Sequence, residues 1–385
     1  MVTPLDREVV ARIHRHGPIG CGPVIDLALY DPDDGFYGSG RGRAGRRGDF
    51  LTSPEVGPLF GAVIARALDA WWDELGRPDP FTVVEAGAGR AMLARTVLLA
   101  EPRCATALTY VLVERSPVLR AEHADHLPVT DPSLAFPPRA GDDDDDEEVL
   151  DDRGIGTGPR VVSLAELPAL GVVGVVLANE LLDNLSFALV QRTDDGWDEV
   201  RLALTGDDLP LVEHLVPASA VDAALADRLA PGAAVGARLP LQREAGAWLS
   251  EALARVHRGR VVVIDYASSA AELADRPWTE WVRTYQGHGP GGSAWEDLGS
   301  QDITCEVDET QLALVRRPDR AQDQAAFLDG HGLAELVAEG RRVWAEQAHV
   351  GDLPALRARS RVAESEALVD PAGLGAFRVF EWLVD

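Results

Sequence analysis

The chain has 385 residues, of which 46% are hydrophobic, so it can bury a large core as one elaborated domain or two. Its formal charge is −27 at pH 7, and all 36 basic residues are arginines because the sequence contains no lysine. A negative charge of this size repels phosphate backbones, which argues against a nucleic acid partner, whereas it attracts a cationic partner.

The N-terminal segment, residues 1–75, is predicted to be a cap or lead-in rich in loop residues, with a turn at residues 30–37. A helix is predicted to start near Pro54, with Ser53 as its N-cap. That cap explains Ser53 and Pro54 but not Asp49 or Thr52, which lie in the same string, Gly-Asp-Phe-Leu-Thr-Ser-Pro-Glu.

Regular α/β structure is predicted to begin at residue 81. The apolar run at residues 81–84 ends at Glu85 and opens into Gly87, Gly89 and Ala91, followed by a helix at about residues 91–100. A strand followed by a glycine-rich turn lets backbone approach a nucleotide-like ligand, and the helix directs free N–H groups toward it. Glycines after an apolar run also form ordinary turns, so the second strand matters.

The second predicted strand, residues 108–113, ends in Glu114. An acidic residue at this position can accept hydrogen bonds from ribose hydroxyls. The spacing from Glu85 to Glu114 exceeds the roughly 20 residues of the nicotinamide fingerprint, and Ala91 replaces the third glycine. Both features favour S-adenosylmethionine over a dinucleotide.

Residues 141–152 are dominated by aspartate and glutamate and are predicted to be a disordered surface insertion. Strands are predicted at residues 160–163 and 171–178, the second without alternation and therefore buried on both faces. Asn179, Glu180 and Asp183 follow that strand, at the edge where open α/β sheets bind ligands.

Farther along, residues 187–191 and 197–204 flank Asp-Asp-Gly and predict an antiparallel hairpin. A helix at about residues 241–257, with Trp248 in its apolar core face, precedes a strand at residues 260–266. The next segment is predicted to be a long loop, functional or disordered, that holds Arg283, Tyr285 and His288. Helices at about 308–314, 321–329 and 333–348 and a last strand at 377–383 complete the chain.

The three cysteines lie far apart, without a CxxC pair or histidines at metal spacing, so neither a disulfide framework nor a metal site is predicted. No apolar signal region or membrane-spanning run is apparent, and a cytoplasmic protein without a membrane partner is expected. The composition, rich in alanine, glycine, aspartate and arginine, suggests a GC-rich bacterial genome.

Taken together, these strings resemble the MidA family of S-adenosylmethionine-dependent methyltransferases, which includes the mitochondrial complex I assembly factor that dimethylates an arginine. The matching pieces occur in order over nearly the whole chain: residues 31–37, 48–55, 85–93, 114–117, 179–185, 265–266, 283–288, 302–304, 324–328 and 373–379. The departures are Ala91 and Ala267 where the family usually has glycine, and Ser186 where it has proline.

The resemblance implies a class I, Rossmann-like, doubly wound α/β fold with a mostly parallel seven-stranded sheet. Residues 1–75 would form the cap and residues 76–385 the cofactor-binding domain. Within that domain we expect a hairpin insertion at 186–240 and a substrate loop at 276–305. A homodimer is expected only by analogy with the family.

The resemblance also implies methyl transfer from S-adenosylmethionine to a protein arginine, whose charged guanidinium needs carboxylates to hold it. The predicted cofactor-binding residues are Glu85, Gly87, Gly89, Glu114 and Asn179. The predicted catalytic residues are Asp49, Glu180 and Asp183, and the predicted acceptor-binding residues are Thr52, Glu55, Tyr285 and His288.

Two alternatives stay open. The same fold serves methyltransferases that act on an oxygen or nitrogen of a small molecule in a biosynthetic pathway. The substitutions at Ala91, Ser186 and Ala267 also allow a non-catalytic scaffold or assembly protein that has kept the fold.

Overall fold

The computed structural model describes residues 2–40, 52–135, 158–169, 171–206, 208, 210–287, 289–349 and 352–385. Predictions for Asp49, for His288 and for the acidic segment 141–152 lie outside these residues. In the described ranges no helix is both long enough and apolar enough to cross a membrane.

The helices are α1 Pro4–His16, α2 Cys21–Tyr30, α3 Ser53–Val56, α4 Pro58–Glu74, α5 Met92–Leu99, α6 Pro117–Ala121, α7 His123–His126, α8 Pro132–Ala135, α9 Ala220–Leu229, α10 Arg243–Arg255, α11 Ala270–Asp275, α12 Trp278–Trp281, α13 Glu309–Val315, α14 Gln324–Gly330, α15 Leu333–Gln347 and α16 Leu353–Leu368. The strands are β1 Ile19–Gly20, β2 Phe81–Ala86, β3 Leu108–Val113, β4 Arg160–Leu164, β5 Val172–Asn179, β6 Ala188–Thr193, β7 Gly196–Leu204, β8 Leu211–Pro217, β9 Arg238–Leu241, β10 Val256–Asp265, β11 Ala267–Ser268, β12 Val282–Gln286, β13 Gly289–Pro290, β14 Asp302–Cys305, β15 Val307–Asp308, β16 Arg320–Asp323 and β17 Arg378–Val384.

The chain divides into two compact units. We call the first the cap unit, which comprises Met1–Thr52, Glu180–Glu251 and Ile264–Asp319. We call the second the sheet unit, which comprises Ser53–Asn179, Ala252–Val263 and Arg320–Asp385. Residues 1–52 are therefore grouped with two later stretches of the chain, whereas residues 53–75 of the predicted N-terminal segment belong to the sheet unit.

The sheet unit is built on a seven-stranded sheet with the order β16-β17-β10-β5-β2-β3-β4. Strand β2 pairs in parallel with β3 and β5, β3 pairs in parallel with β4, and β16 pairs antiparallel with β17. Every residue of β2 and β3 is buried, as expected for a sheet covered on both faces. The predicted doubly wound, mostly parallel seven-stranded sheet is confirmed.

Close strand packing in this sheet requires glycine at Gly174 of β5. A Cβ atom at this position would lie 2.0 Å from the carbonyl oxygen of Thr82 in β2, and φ is +147°. A side chain there would push the two central strands apart, so the uninterrupted sheet depends on the small residue.

The predicted N-cap role of Ser53 is wrong. Ser53 lies inside the one-turn helix α3, and its hydroxyl donates to Oε1 of Gln324 at 3.1 Å. The long helix starts later, at Pro58, where Oε2 of buried Glu364 accepts the N–H of Leu59 at 2.9 Å. A distant carboxylate thus satisfies the helix terminus, an arrangement that no local pattern signals.

The cap unit contains a sheet with the order β1-β7-β6-β9, and β8 pairs antiparallel with β7 over residues 198–204. The predicted hairpin is confirmed, since β6 and β7 pair antiparallel around Asp194 and Asp195. The prediction of a loop-rich N-terminus is wrong because α1 and α2 are helices. In α1, Leu5, Val9 and Ile13 recur every four residues and are buried in the cap unit's core.

Three further predictions need correction. The segment predicted as a long loop forms an antiparallel sheet in which β12 pairs with β13 and β14. Trp248, predicted to be core, is only half-buried on α10. The helix predicted at residues 321–329 starts later, because residues 320–323 form β16 against β17.

Candidate functional site

The loop after β2 leaves backbone open for a ligand. Gly87 is exposed with φ of +70°, and Gly89 has φ of +52°. An added Cβ at Gly89 would meet no atom within 4 Å, so space is free on that side of the loop. Both residues adopt the left-handed conformation that glycine allows, and α5 starts three residues later at Met92.

Ala91 adopts the same unusual backbone conformation, with φ of 62° and ψ of 30°. This residue is fully buried at the start of α5. An alanine in the left-handed region carries steric strain of roughly 1–2 kcal/mol, which the glycine usual in the family would not carry. Ala91 therefore strains the loop without blocking the open side at Gly89.

The Glu114 carboxylate, just beyond the end of β3, is held by two backbone groups. Its Oε2 accepts the N–H of Gly89 at 2.8 Å, and its Oε1 accepts the N–H of Ser116 at 2.7 Å. Burial raises the pKa of Glu114, and these two hydrogen bonds partly offset the effect by favouring the ionised form. Each oxygen keeps one acceptor position, so the carboxylate can accept a pair of vicinal hydroxyls.

Glu85, also predicted to bind cofactor, lies inside the sheet. Its Oε2 accepts the hydroxyl of Tyr110 in β3 at 2.7 Å, and it is 4% exposed. Burial raises the pKa of Glu85 to about 8, which the hydrogen bonds to Tyr110 and to the backbone of Ala94 partly oppose. Through these contacts Glu85 ties β2 to β3 and to α5. Direct contact between Glu85 and a cofactor stays a prediction.

One residue of this region, His123, was missed by the sequence reasoning. Its Nε2 lies 2.8 Å from the carbonyl oxygen of Gly89, and its Nδ1 lies 2.9 Å from Oγ of Ser163. Burial lowers its pKa. No short motif surrounds His123, so only its position in the fold reveals these contacts.

Asn179 is the last residue of β5 and Glu180 follows it, and both are half-buried. Glu180 has φ of +52°, and its N–H donates to the carbonyl oxygen of Ile264 at 2.8 Å. A non-glycine residue held in this conformation is strained, and such strain is concentrated at functional sites. The observation supports the choice of Glu180 as a site residue.

The cap unit contains a cluster of buried carboxylates and tyrosines, which we call the acidic cluster: Tyr30, Tyr37, Asp183, Asn184, Asp265, Tyr266 and Asp302. Its centre is Asp183, whose Oδ2 accepts the hydroxyl of Tyr266 at 2.8 Å. The carboxylate of Asp265 accepts the N–H groups of Leu182 and Tyr266, each at 3.0 Å.

Asn184 connects the rest of the acidic cluster. Its Nδ2 donates to Oδ1 of Asp302 at 3.0 Å, and its Oδ1 accepts the hydroxyl of Tyr37 at 3.3 Å. Its backbone carbonyl accepts the hydroxyl of Tyr30 at 3.2 Å. Asp183 was predicted to be catalytic from the sequence, and Asp302 was predicted only to lie in a long loop and in a family string, whereas no role was predicted for Tyr30 or Tyr37.

The surroundings of the acidic cluster disfavour the ionised form of Asp183 and Asp265. Asp183 and Asp265 are 5% and 0% exposed, and neither forms an ion pair with a residue that the structure describes. Burial raises the pKa of Asp183 to about 6. Burial and the neighbouring charges of Asp183 and Glu180 raise the pKa of Asp265 well above its usual value. The cluster is thus a set of buried acids poised to be stabilised by a cation.

The remaining predicted residues are placed as follows. Tyr285 on β12 is half-buried, and the guanidinium of Arg283 on the same strand stacks over the ring of Tyr266 at 5.6 Å. Thr52, just before α3, and Glu55, within α3, are also half-buried. Asp49 and His288 lie outside the described residues, so their roles remain predictions.

The sheet unit fits S-adenosylmethionine. Glu114 offers acceptors for a ribose diol, and the space beside Gly89 admits a ligand. S-adenosylmethionine has no pyrophosphate for these residues to bind, which agrees with the predicted preference for a sulfonium cofactor over a dinucleotide. Within the described ranges there is no group of three or more side chains suited to a metal ion.

Comparison with protein families supports this assignment. A family model described as "Putative S-adenosyl-L-methionine-dependent methyltransferase" matches residues 63–325. The chain is 28% identical over 319 residues to a Drosophila melanogaster protein named protein arginine methyltransferase NDUFAF7 homolog, mitochondrial, covering 79% of this chain and 68% of that protein. It is 25% identical to the human protein arginine methyltransferase NDUFAF7, mitochondrial, covering 81% of this chain and 68% of that protein.

A solved structure is similar over nearly the whole chain. The crystal structure of a Burkholderia thailandensis protein bound to S-adenosyl-homocysteine matches with a TM-score of 0.80 and 26% identity. The match covers 98% of this chain and 91% of that one. S-adenosyl-homocysteine is what remains of S-adenosylmethionine after methyl transfer, so the comparison agrees with the cofactor that the glycine loop and Glu114 predict.

Proposed function

The chain belongs to this family of S-adenosyl-L-methionine-dependent methyltransferases, as its resemblance to MidA predicted, and from that premise we propose that it methylates a protein arginine. The relatives named as arginine methyltransferases support the proposal, at 25% to 28% identity. The chemistry of the acidic cluster supports it independently.

The observation that carries the proposal is the pair of buried carboxylates, Asp183 and Asp265, without a cationic partner among the described residues. A guanidinium is planar, always charged and rich in N–H donors, and it pairs with carboxylates in a bidentate manner. A cationic acceptor would therefore relieve the repulsion between the acids. Because the chain carries a charge of −27, its long-range field also favours a cationic protein.

Proton transfer assigns a role to Asp183. When bound, S-adenosylmethionine supplies an electrophilic methyl carbon. An arginine nitrogen that forms the new N–C bond must lose one proton, and a nearby carboxylate can accept it. Asp183, with its pKa raised to about 6, is ionised near neutral pH and is a stronger base than an ordinary aspartate. The hydroxyl of Tyr266 fixes the orientation of that carboxylate.

Glu180 and Asn179 would position the reactants. Glu180 adds a carboxylate beside Asp265, as its effect on the pKa of that residue indicates. Asn179 is joined to Glu180 by one peptide bond and ends a central strand of the sheet unit. We assign Glu180, which the sequence predicted to be catalytic, to guanidinium binding, and Asn179 to cofactor binding, as the sequence predicted.

A peptide panel tests the proposal. Peptides of one common sequence, centred on arginine, lysine or citrulline, are incubated with the enzyme and methyl-labelled S-adenosylmethionine. We expect label in the arginine series alone, because citrulline has a similar shape but no charge. Label in the lysine series to the same extent, or label only in small molecules when a cell extract is supplied, would contradict the proposal and favour the small-molecule alternative.

A further inference from the structure

His123 occupies a defined position behind the cofactor loop. It is 1% exposed at the start of α7, and its two ring nitrogens contact separate parts of the sheet unit. Nε2 faces the carbonyl oxygen of Gly89, and Nδ1 faces the hydroxyl of Ser163 in β4. The imidazole thus links the loop after β2 to the neighbouring strand.

The partners of the ring determine its tautomer. A carbonyl oxygen can only accept, so Nε2 must carry a proton and donate it to Gly89. In the neutral ring Nδ1 then accepts, and the hydroxyl of Ser163 donates to it. Burial lowers the pKa of the ring and favours its neutral form, the hydrogen bond to Gly89 and the charge of Glu122 oppose this, and Arg120 and His126 act with burial.

Gly89 is consequently held from both sides. Its N–H donates to Glu114, and its carbonyl oxygen accepts from His123. The next residue, Arg90, pairs with the carboxylate of Glu122, which precedes His123 in the chain. One short segment after β3 therefore fixes three successive groups of the glycine loop and leaves the exposed face at Gly87 for the ligand.

We propose that His123 is a positioning residue for cofactor binding: its Nε2–H holds the Gly89 peptide so that the Gly89 N–H stays aligned with Glu114. If this contact is lost, the loop samples other orientations, and Glu114 loses a partner that orients its carboxylate. Binding then requires the loop to be ordered again, at a cost in affinity. His123 acts only through Gly89 and needs no contact with the cofactor.

Two matched variants separate the two nitrogens. In His123→Gln the side-chain amide reaches the position of Nε2 and can still donate to Gly89. In His123→Asn the amide reaches only the position of Nδ1, so the contact with Ser163 is kept and the contact with Gly89 is lost. The measurement is the calorimetric Kd for S-adenosylhomocysteine, with the melting temperature of the ligand-free protein recorded in parallel.

We expect the Asn variant to bind about tenfold more weakly, the effect of losing one well-placed hydrogen bond, and the Gln variant to stay within about threefold of the wild type. A purely structural role would lower the melting temperature in both variants and leave Kd equal in both. Equal Kd values for the two variants, or failure of the wild type to bind S-adenosylhomocysteine, would overturn the proposal.

Ser163→Ala is the second variant, in case the Asn variant does not fold. It leaves the ring in place but removes the donor that fixes its tautomer. We expect a twofold to fivefold weaker Kd and a small fall in melting temperature, because Nδ1 loses its partner and a fraction of the rings would then direct a lone pair at Gly89. A Kd equal to that of the wild type would contradict the role assigned to His123.

Discussion

Each unit of the protein contains a buried carboxylate that accepts a tyrosine hydroxyl. In the sheet unit, Glu85 accepts from Tyr110 at 2.7 Å, and in the cap unit, Asp183 accepts from Tyr266 at 2.8 Å. Both tyrosines and both acids are buried deeply enough to raise the pKa of each group.

The surroundings of the two pairs differ. Glu85 is buried within β2, hydrogen-bonded to Tyr110 and to the backbone of Ala94, with the charge of Glu114 also acting on it. Asp183 donates its backbone N–H to Asp265 and belongs to a hydrogen-bonded network that reaches Asp302. A buried acid hydrogen-bonded between strands ties them together, whereas buried acids linked to one another favour the binding of a cation. The direct link between Asp183 and Asp265 thus distinguishes the pair in the cap unit from the pair in the sheet unit.

The largest effect is expected at Asp183. Asp183→Asn keeps the shape of the side chain but cannot take up a proton, so we expect the rate of methyl transfer to fall by about 10²- to 10⁴-fold. The measurement is incorporation of labelled methyl into protein. Asp227→Asn, in the same unit but paired with Arg192, serves as control and should stay within twofold. A wild-type rate in Asp183→Asn would remove the residue from the mechanism.

The second-largest effect is expected at Glu114 in the sheet unit, on the affinity for the cofactor. Glu114→Ala removes the acceptors for a ribose diol and leaves the N–H groups of Gly89 and Ser116 without their partner. Losing hydrogen bonds to a charged group should weaken S-adenosylhomocysteine binding by about 100-fold in calorimetry. Glu166→Ala, an exposed residue just after β4, is the matched control. If both variants bind equally well, Glu114 does not contact the cofactor.

The pH dependence of stability and of activity distinguishes the Glu85–Tyr110 pair from the Asp183–Tyr266 pair. The folded-state pKa of Asp183 is raised from 3.8 to about 6, so the folded protein binds the extra proton in that range. Stability to urea should therefore fall as pH rises from about 4 to about 6, while methyl transfer should rise because it needs the ionised form.

Glu85 extends the fall in stability to about pH 8, because its pKa is raised to that value. In Glu85→Gln the fall in stability should become shallower up to about pH 8, whereas in Asp183→Asn it should become shallower only up to about pH 6. Urea unfolding at a series of pH values measures both. An effect above pH 6 in Asp183→Asn but not in Glu85→Gln would contradict the assignment of the two pKa values.

The smallest effect is expected from the two strained residues, Ala91 and Glu180. Replacing Ala91 with glycine relieves the left-handed conformation but raises the entropy of the unfolded chain, so we expect a gain of at most about 1 kcal/mol and an unchanged Kd for cofactor. Glu180→Gly should change stability by a similar amount but lower methyl transfer. Thermal unfolding and labelled transfer distinguish the two, and a loss of transfer in Ala91→Gly would contradict this account.

The sequence could predict a cofactor site in the sheet unit because the features that suggest it are local. The apolar runs of β2, β3 and β5 are short, Gly87 and Glu114 directly follow strands, and Gly89 lies two residues after Gly87. The helix contacts of Glu364 and the loop contacts of His123 were missed, since each joins residues that are far apart or outside any motif.

The acidic cluster was harder to predict for the same reason. Asp183 was chosen from its place after β5, but its partner Tyr266 is 83 residues away, and Tyr37 and Asp302 are farther apart still. Hydrogen bonds over such separations depend on the tertiary fold. The α1 helix has helical periodicity, but the glycines and prolines near it are typical of loops, so the sequence did not predict α1 or α2.

The most direct test of protein arginine methylation by this enzyme is amino-acid analysis of the methylated acceptor. An extract of source cells that lack the gene is incubated with the enzyme and methyl-labelled S-adenosylmethionine, and the protein fraction is hydrolysed to free amino acids. We expect label in methylarginine when the wild-type enzyme is used and no such label when Asp183→Asn is used. Label in another methylated amino acid, or in small molecules alone, would contradict it.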